Sequence, residues 1–305
     1  MKIVVIGSTN TDMVIKTGHL PTPGETILGG DFFMNQGGKG ANQAVAASRL
    51  GGDVAFISKT GNDIFGEQSV ENLRREGVNT ENMIVDQENP SGVALITVDS
   101  QAENCIVVAP GSNMTLKPDD IDKAIKQIGM AEIVLLQLEI PIETVEYAAQ
   151  IAFRNNKKVI LNPAPAQKLS DSILKAIYIL TPNETEAEIL TGVKVTNTET
   201  SEKAAQILKN KGVEIIIITM GANGAFIHTD SLSELIPAPE VKAVDTTAAG
   251  DTFNGALAVA VSEGFNIREA VQFANKAASI AVTRLGAQAS TPYRREVRQK
   301  RVRSK

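Results

Sequence analysis

The chain has 305 residues, of which 43% are hydrophobic and 21% charged, with a net charge of −5 and a pI near 5.3. This composition is that of a globular protein with a large core, and the acidic balance argues against a nucleic-acid partner. A single cysteine, Cys105, excludes an intrachain disulfide and favours a reducing compartment. No apolar run is long enough for a signal peptide or a membrane helix. The sequence therefore predicts a cytoplasmic protein with no membrane partner.

Short β-branched runs alternate with segments of helical spacing along the chain. Buried strands are predicted at residues 3–6, 54–57, 133–138, 159–161, 178–180 and 214–219. Helices are predicted at 40–50, 66–76, 142–155, 187–191, 202–211, 249–263 and 267–283. This alternation predicts an α/β fold with a doubly wound, mostly parallel sheet flanked by helices.

Two regions break the alternation and predict a small separate sheet. Extended runs at 12–17 and 26–34 flank a loop, and the stretch at 91–113 predicts a hairpin that turns at 99–104. Strands that pair locally, from about 12–36 and 91–109, are expected to form a β lid over a site within one single-domain chain, 1–305. Open edges at 26–34 and 94–98 would allow a second subunit to pair there, which predicts a homodimer.

The C-terminal tail, residues 294–305, is strongly basic. Seven of its twelve residues are Lys or Arg. A solvated or frayed end and an electrostatic arm are both open interpretations of this segment.

Two polar segments near the N-terminus suggest a site for a small polar ligand. The stretch "NQGGKGANQ" at 35–43 fits neither the Walker loop nor the dinucleotide fingerprint, but it offers Lys39 and Asn42 as donors beside three glycines. A tight turn with a solvated lysine is the alternative. The stretch "GSTNTD" follows the first strand and places Asn10 and Asp12 on one side of an extended segment. A simple turn is the alternative there.

Two later segments suggest a nucleotide site with a metal. In "TPNETEAE", Asn183 and Glu186 lie on one face of a first helical turn and could serve a hydrated Mg²⁺, or act only as a helix cap. In "ITMGANGAF", Gly221 and Gly224 could let a nucleotide lie along the backbone, or form a hairpin turn. Two histidines without a Cys/His cluster argue against a zinc site.

The stretch "VDTTAAGDTFNGA" at 244–256 combines an acid with a helix start made of small residues. The unpaired N–H groups of a helix start attract anions, most often phosphate. A bound anion would repel an acid at this position, so the presence of Asp251 indicates that it accepts a proton beside the anion. Phosphoryl transfer needs such a base, donors on the developing charge and a metal. The pattern predicts a kinase-like site.

Taken together, "VDTTAAGDTFNGA", "GGKGANQAVAA", "LNPAPA", "TPNETEAE" and "RLGAQAS" resemble the carbohydrate-kinase family that includes ribokinase and adenosine kinase. The similarity runs from about residue 2 to 292, and "GGKGANQAVAA" is typical of the ribokinases within the family. The resemblance implies ATP-dependent phosphorylation of D-ribose at the 5-hydroxyl, with Mg²⁺ and an activating K⁺. It also implies a homodimer formed through the β lid.

The resemblance also implies residue roles. Asp251 would be the base, with the N–H groups of Ala248, Ala249 and Gly250 as the anion hole. The sugar would be held, besides Asp251, by Asn10, Asp12, Gly38, Lys39, Asn42 and Glu139. Glu186 would lie near Mg²⁺, and the nucleotide site would be lined by Gly250 together with Asn183, Thr219, Gly221, Gly224 and Asn275. The K⁺ site would use the side chains of Asp245 and Ser290 with the carbonyls of Thr247, Ala281, Arg284 and Gly286.

Two other functions are weighed against this interpretation. Within the enzyme class, a related sugar or nucleoside kinase such as a deoxyribokinase is the alternative. Outside it, the chain could be a non-catalytic sugar-sensing regulator that uses its basic tail on nucleic acid. Asp251 counts against the regulator, because a sensor has no need of a proton acceptor.

Overall fold

The elements were located in a computed structural model that describes residues 2–101 and 103–298. Its strands are β1 (Ile3–Ile6), β2 (Asn10–Lys16), β3 (Phe32–Gly37), β4 (Val54–Gly61), β5 (Met83–Asp86), β6 (Gly92–Val98), β7 (Asn104–Ala109), β8 (Ile133–Leu136), β9 (Lys158–Leu161), β10 (Ile179–Leu180), β11 (Ile215–Thr219), β12 (Ala225–His228) and β13 (Ser233–Ile236). Its helices are α1 (Lys39–Arg49), α2 (Ile64–Arg75), α3 (Pro118–Lys123), α4 (Ile125–Met130), α5 (Ile142–Arg154), α6 (Asp171–Leu174), α7 (Glu184–Thr191), α8 (Thr198–Asn210), α9 (Ala249–Ser262), α10 (Ile267–Ala281) and α11 (Arg294–Arg298).

The large sheet has the strand order β13-β12-β11-β10-β9-β8-β1-β4-β5. The strands from β11 to β5 are parallel, and β12 and β13 are antiparallel additions at one edge. The strand order reverses direction along the chain at β1, between β8 and β4. The predicted doubly wound, mostly parallel sheet is therefore confirmed.

Alternate residues of the central strands face opposite sides of the large sheet, because successive side chains in a strand point to opposite faces. Val4 and Ile6 join a core that packs on α3 to α8, whereas Ile3 and Val5 join a second core that packs on α1, α9 and α10. All four side chains are fully buried. Helices on both faces explain why these strands are apolar runs rather than alternating ones.

The small sheet has the order β3-β2-β6-β7, with β2 and β6 parallel and both hairpins antiparallel. The predicted lid sheet is thus confirmed. Two details differ from the prediction. Strand β3 starts at Phe32 rather than at residue 26, and β6 is paired on both sides, so the open edges belong to β3 and β7. The predicted turn at 99–104 is organised by Asp99, which accepts from the N–H groups of Gln101 and Glu103; Ala102 lies outside the described residues.

The start of the basic tail packs on the body of the protein. Val297 of α11 is buried, and Arg294 donates to both carboxylate oxygens of Glu263 at 2.5 Å and to the carbonyl of Leu50 at 2.8 Å. Arg294 and Val297 are therefore not a frayed end, because their contacts fix them, whereas Arg295 and Arg298 of the same helix are exposed. The remainder of the tail, 299–305, lies outside the described residues. In the described ranges, no helix combines the length and apolar character that crossing a membrane requires.

Candidate active site

The polar residues singled out in the sequence converge at one edge of the large sheet. The parallel strands β1, β8, β9, β10 and β11 all end at this edge, because parallel strands share one direction. Ser8, Gln137, Asn162 and Thr181 follow the ends of four of these strands and are all buried. The carboxyl edge is therefore lined by polar side chains, where a doubly wound sheet binds its ligands.

Two glycines at the start of α1 are required by backbone contact. At Gly38, φ is +85°, and an added Cβ would lie 2.7 Å from the Cα of Thr9. At Gly40, it would lie 2.6 Å from the backbone nitrogen of Ser8. The loop is further fixed by Glu139, whose Oε2 accepts from the N–H of Lys39 at 2.9 Å. The glycine loop is thus pressed against the segment after β1 rather than being a free turn.

The pair Asn10 and Asp12 begins β2 and faces the same side of the lid sheet, as predicted. The side chain of Asn10 is held by Asn113, whose Nδ2 donates to Asn10 Oδ1 at 2.8 Å. Asn113 is itself oriented, because its Oδ1 accepts from the backbone N–H of Thr9 at 2.9 Å. With its oxygen already paired, Asn10 has its Nδ2 donor left for a ligand.

Several carboxylates share this space with Lys39. Burial raises the pKa of Asp12, the nearby charges of Glu139 and Asp251 raise it further, and Lys39 only partly offsets them, so that it reaches about 7. Burial lowers the pKa of Lys39, but the surrounding carboxylates outweigh this and leave it above its ordinary value. These carboxylates are those of Asp251, Glu139, Glu186 and Asp12. The site is therefore strongly polar and holds a fixed positive charge among acids.

Asp251 lies in the first turn of α9 and is buried. Two consecutive residues of α1 hold its carboxylate: Asn42 Nδ2 donates to Oδ2 at 3.0 Å, and Gln43 Nε2 donates to Oδ1 at 2.9 Å. The other atom of the Asn42 amide, Oδ1, is buried without a hydrogen-bond partner among the described residues. A ligand hydroxyl at this position would satisfy it.

The start of α9 is shaped for an anion. Ala248 has φ +56°, a left-handed conformation that is unusual for a residue with a side chain, and the helix begins there without a side-chain cap. The N–H of Ala249 donates to the carbonyl of Thr246 at 3.2 Å. At Gly250, an added Cβ would meet nothing within 4 Å. Since the fold does not require a glycine there, the open space in front of the helix start is available to a ligand.

The residues predicted to line the nucleotide site lie close to one another, around the end of β11. Asn183 and Thr219 form an isolated parallel bridge, which joins the start of α7 to the end of β11. Gly224 packs against the carbonyl of Ile236, and Asn275 Nδ2 donates to that same carbonyl at 3.0 Å. The segment at Gly221–Asn223 is a short 3-10 turn between the antiparallel strands β11 and β12, so "ITMGANGAF" does form a hairpin turn.

The start of α7 carries the helix cap that "TPNETEAE" suggested. Asn183 and Glu186 form a reciprocal capping box, with both hydrogen bonds at 2.8 Å. Burial raises the pKa of Glu186, which the hydrogen bond from Asn183 and the charge of Lys39 do not fully offset. In the described ranges, no group of three or more His, Cys, Asp or Glu side chains is arranged to hold a metal ion. The first turn of α7 holds two acids, Glu184 and Glu186, and Glu186 is the buried one.

Asp245 joins two of the segments that were predicted to hold a monovalent cation. Its Oδ1 accepts from the N–H of Thr247 and its Oδ2 from the N–H of Gly286, both at 2.8 Å. Burial raises the pKa of Asp245, but these hydrogen bonds outweigh it and leave the pKa below its ordinary value. Ser290 is fully buried and donates to the carbonyl of Ala287 at 2.8 Å. The carbonyl of Ala281, at the end of α10, accepts from the backbone N–H of Arg284 at 3.0 Å.

Comparison with known proteins identifies the group to which this site belongs. The model of the pfkB family carbohydrate kinases matches residues 1–294. The chain belongs to this family. It is 47% identical over 294 residues to a ribokinase of Haemophilus influenzae and covers 96% of each chain. It is 39% identical over 293 residues to a deoxyribokinase of Salmonella typhi, again over 96% of each chain.

A solved pfkB-family structure is also similar. Arabidopsis thaliana ribokinase, in a structure complexed with ribose and ATP, superposes with a TM-score of 0.92 at 33% identity over 97% of each chain. The family predicted from the quoted motifs is therefore confirmed.

Sequence reasoning missed several residues that hold the site of this pfkB kinase together. Gln43 and Asn113 contact the predicted base and the predicted sugar residue directly. Arg49 donates to the carbonyls of Gln288 and Thr291 in the predicted cation loop, at 2.6 and 2.9 Å. Gln43 adjoins Asn42 in the quoted motif and could have been suspected. Asn113 and Arg49 have no local sequence signal, because their partners are remote in the chain.

Proposed function

We propose that this protein transfers the terminal phosphoryl group of ATP to the 5-hydroxyl of D-ribose, giving D-ribose 5-phosphate. The observation that most strongly supports this proposal is the position of Asp251. It is a buried carboxylate at an uncapped helix start, hydrogen-bonded to Asn42 of α1 and next to the open space at Gly250. A base and an anion-binding helix end thus stand side by side. The ribokinase names of relatives at up to 47% identity support D-ribose as the acceptor.

In the proposed reaction, Asp251 accepts the proton of the attacking hydroxyl as the bond to phosphorus forms. Asn42 joins the two halves of the site, since its Nδ2 binds Asp251 and its unpaired Oδ1 accepts from the sugar. Asn10 donates its Nδ2 to a ring hydroxyl, and Asp12 accepts from one. Glu139, Lys39 and Gly38 keep the glycine loop closed on the sugar. Recognition therefore depends on polar groups that pair only when the sugar is present.

The N-terminus of α9 would stabilise the charge on the transferred phosphoryl group. Because the Ala249 N–H is already used by Thr246, we assign the leading part to the N–H groups of Ala248 and Gly250. ATP would lie along Asn183, Thr219, Gly221, Gly224 and Asn275. When bound, Mg²⁺ neutralises the charge of the phosphates, and we assign Glu186 to hold it through water.

The loop joined by Asp245 fits a bound K⁺. Its donors are hard oxygens, namely a carboxylate, a hydroxyl and the carbonyls of Thr247, Ala281, Arg284 and Gly286. Asp245 is ionised at neutral pH, because its hydrogen bonds lower its pKa. Its bond to Thr247 lies next to Ala248. An ion there would fix the backbone that binds the phosphoryl group.

We further propose a cytoplasmic homodimer formed through the lid. Met34, Leu95 and Val107 form part of one row across the lid sheet, and Leu95 and Val107 are 56% and 63% exposed. Exposed apolar patches of this kind mark protein interfaces. The edge strands β3 and β7 offer unpaired backbone groups to the partner as well. The free thiol of Cys105 supports a reducing compartment.

One specific observation keeps phosphorylation of 2-deoxy-D-ribose as the alternative. The deoxyribokinase relative is 39% identical over nearly the whole chain, so overall similarity alone does not separate the two sugars. A non-catalytic regulator has less support, since the buried base and the open helix start serve no purpose in a sensor.

The test is a coupled kinase assay with ATP across D-ribose, 2-deoxy-D-ribose, D-fructose and adenosine. D-Ribose is expected to have the highest kcat/KM, and ³¹P NMR is expected to identify the product as the 5-phosphate. D-Ribose 5-phosphate, in which the 5-hydroxyl is blocked, serves as the matched control and should not be phosphorylated. A higher kcat/KM for 2-deoxy-D-ribose would transfer the assignment to the alternative, and no turnover of any sugar would contradict the proposal.

A further inference from the structure

A buried chain of side-chain amides lies behind Asp251. Gln43 is fully buried, and its Nε2 donates both to Asp251 Oδ1 at 2.9 Å and to Asn162 Oδ1 at 3.0 Å. Its Oε1 accepts from Gln137 Nε2 at 2.7 Å. Gln137 is also fully buried and follows directly after β8. The amide chain, Gln137–Gln43, therefore connects the large sheet to the proposed base, Asp251.

The amide of Gln43 has one orientation that satisfies its partners. An ionised carboxylate only accepts hydrogen bonds, so Gln43 must turn its Nε2 toward Asp251. Its Oε1 then faces Gln137, which must present its own Nε2 in turn. If Gln43 were flipped, two oxygens would face each other at Asp251 without water to separate them, which is costly in a buried site. Gln137 thus orients Gln43, and Gln43 orients Asp251.

The two donors to Asp251 have different surroundings. Asn42 has an unpaired oxygen available to the sugar, whereas all the hydrogen-bonding atoms of Gln43 are used within the protein. One donor on each carboxylate oxygen fixes both the position of the carboxylate and the plane of its two oxygens. Gln43 is therefore placed to act on the base without touching the sugar.

We propose that Gln43 is a positioning residue that aims the carboxylate of Asp251 at the attacking hydroxyl, and that Gln137 acts on the reaction through Gln43. This inference rests on the proposed role of Asp251 as the base. A displacement of about 1 Å in a reacting group can lower a rate by about 10²-fold. Hydrogen bonds that fix the carboxylate of Asp251 should therefore raise kcat. Gln43 has no hydrogen-bonding atom left for D-ribose, because its Nε2 and Oε1 are both used within the protein.

The test uses Gln43→Met, which keeps the side-chain length and removes both hydrogen-bonding atoms. We expect kcat to fall by roughly 10- to 100-fold, while KM for D-ribose and its Kd by calorimetry change by less than about threefold. Combined with Asp251→Asn, the losses should not add: the double variant should have the kcat of Asp251→Asn within about twofold, because coupled residues are non-additive.

Gln137→Met provides a second, milder variant in case Gln43→Met does not fold. It should lower kcat by a smaller factor, about 3- to 10-fold, again without raising KM. Thr144→Val is the matched control: Thr144 is fully buried and donates to the carbonyl of Leu116 at 2.7 Å, away from the site. It should lower the melting temperature without lowering kcat.

The outcomes separate this inference from the proposed function. Wild-type kcat in both glutamine variants, or equal changes in kcat and KM, would overturn the positioning role. Additive losses with Asp251→Asn would overturn it too, since they would mean that Gln43 acts elsewhere. If Asp251→Asn itself kept most of its activity, the base assignment would fail instead.

Discussion

The proposed role of Asp12 in binding D-ribose predicts that recognition of the sugar depends on pH near neutrality. Burial and the charges of Glu139 and Asp251 raise this pKa to about 7, against an ordinary value of 3.8. A raised carboxyl pKa means that the protonated form predominates below pH 7 in the free protein. Sugar hydroxyls donate most strongly to an ionised carboxylate. Acidification should therefore weaken the binding of D-ribose.

The size of the effect follows from the pKa of about 7. The ionised fraction of such a group is about one tenth at pH 6 and about nine tenths at pH 8, and kcat/KM follows the free enzyme. We therefore expect kcat/KM for D-ribose to rise by nearly tenfold between pH 6 and pH 8. The rise should be much smaller in kcat at saturating D-ribose, because bound sugar holds Asp12 ionised.

The assay is steady-state kinetics at constant ionic strength between pH 6 and pH 8, together with calorimetric Kd values for D-ribose. Asp12→Asn is the control: it cannot ionise, so its kcat/KM should be lower and should lose this dependence. A flat wild-type profile would refute the reasoning. So would a profile that stays equally steep in Asp12→Asn, because another group would then be titrating.

Three further predictions concern the sugar, the cation and assembly. Leaving a buried polar group unpaired costs about 1–3 kcal/mol, so D-ribose should exceed 2-deoxy-D-ribose in kcat/KM by roughly 5- to 150-fold. Asn10→Leu should shrink this ratio mainly by reducing the kcat/KM for D-ribose. A wild-type ratio near one would contradict this prediction. Replacing Na⁺ by K⁺ should raise both activity and melting temperature, and Asp245→Ala should abolish both responses; equal values in the two salts would dispose of the K⁺ site. Sedimentation at micromolar concentration should give a dimeric mass that Leu95→Lys reduces to that of a monomer, whereas a monomeric wild type would refute assembly through the lid.

The sequence predicted the elements whose signal is local. The run Ile3–Ile6 is strand β1 as predicted, and the helix predicted at 249–263 is α9 with its end one residue earlier. Apolar runs and helical spacing suffice there, because burial on both faces of the sheet dictates the residue types. The short strands β12 and β13 were missed. They pair with each other, and β12 pairs with β11 at one edge of the sheet, so both depend on tertiary context.

The site was predictable only in part for the same reason. Asp251 and Asn42 stand in recognisable motifs, and their contact agrees with the roles expected of them. Gln137 and Asn113 carry no motif, because their function comes from partners about a hundred residues away in the chain. The open edge assigned to residues 94–98 was wrong, since pairing on both sides of β6 is decided by the sheet and not by the strand.

In the proposed reaction, Asp251 accepts the proton of the sugar hydroxyl. The most direct measurement is kcat of Asp251→Asn with D-ribose and ATP, made alongside calorimetric Kd values for both ligands. Asparagine keeps the size of the side chain and removes its basicity, so kcat should fall by about 10²-fold or more while both Kd values stay within a few fold of wild type. A kcat within a few fold of wild type would contradict the account.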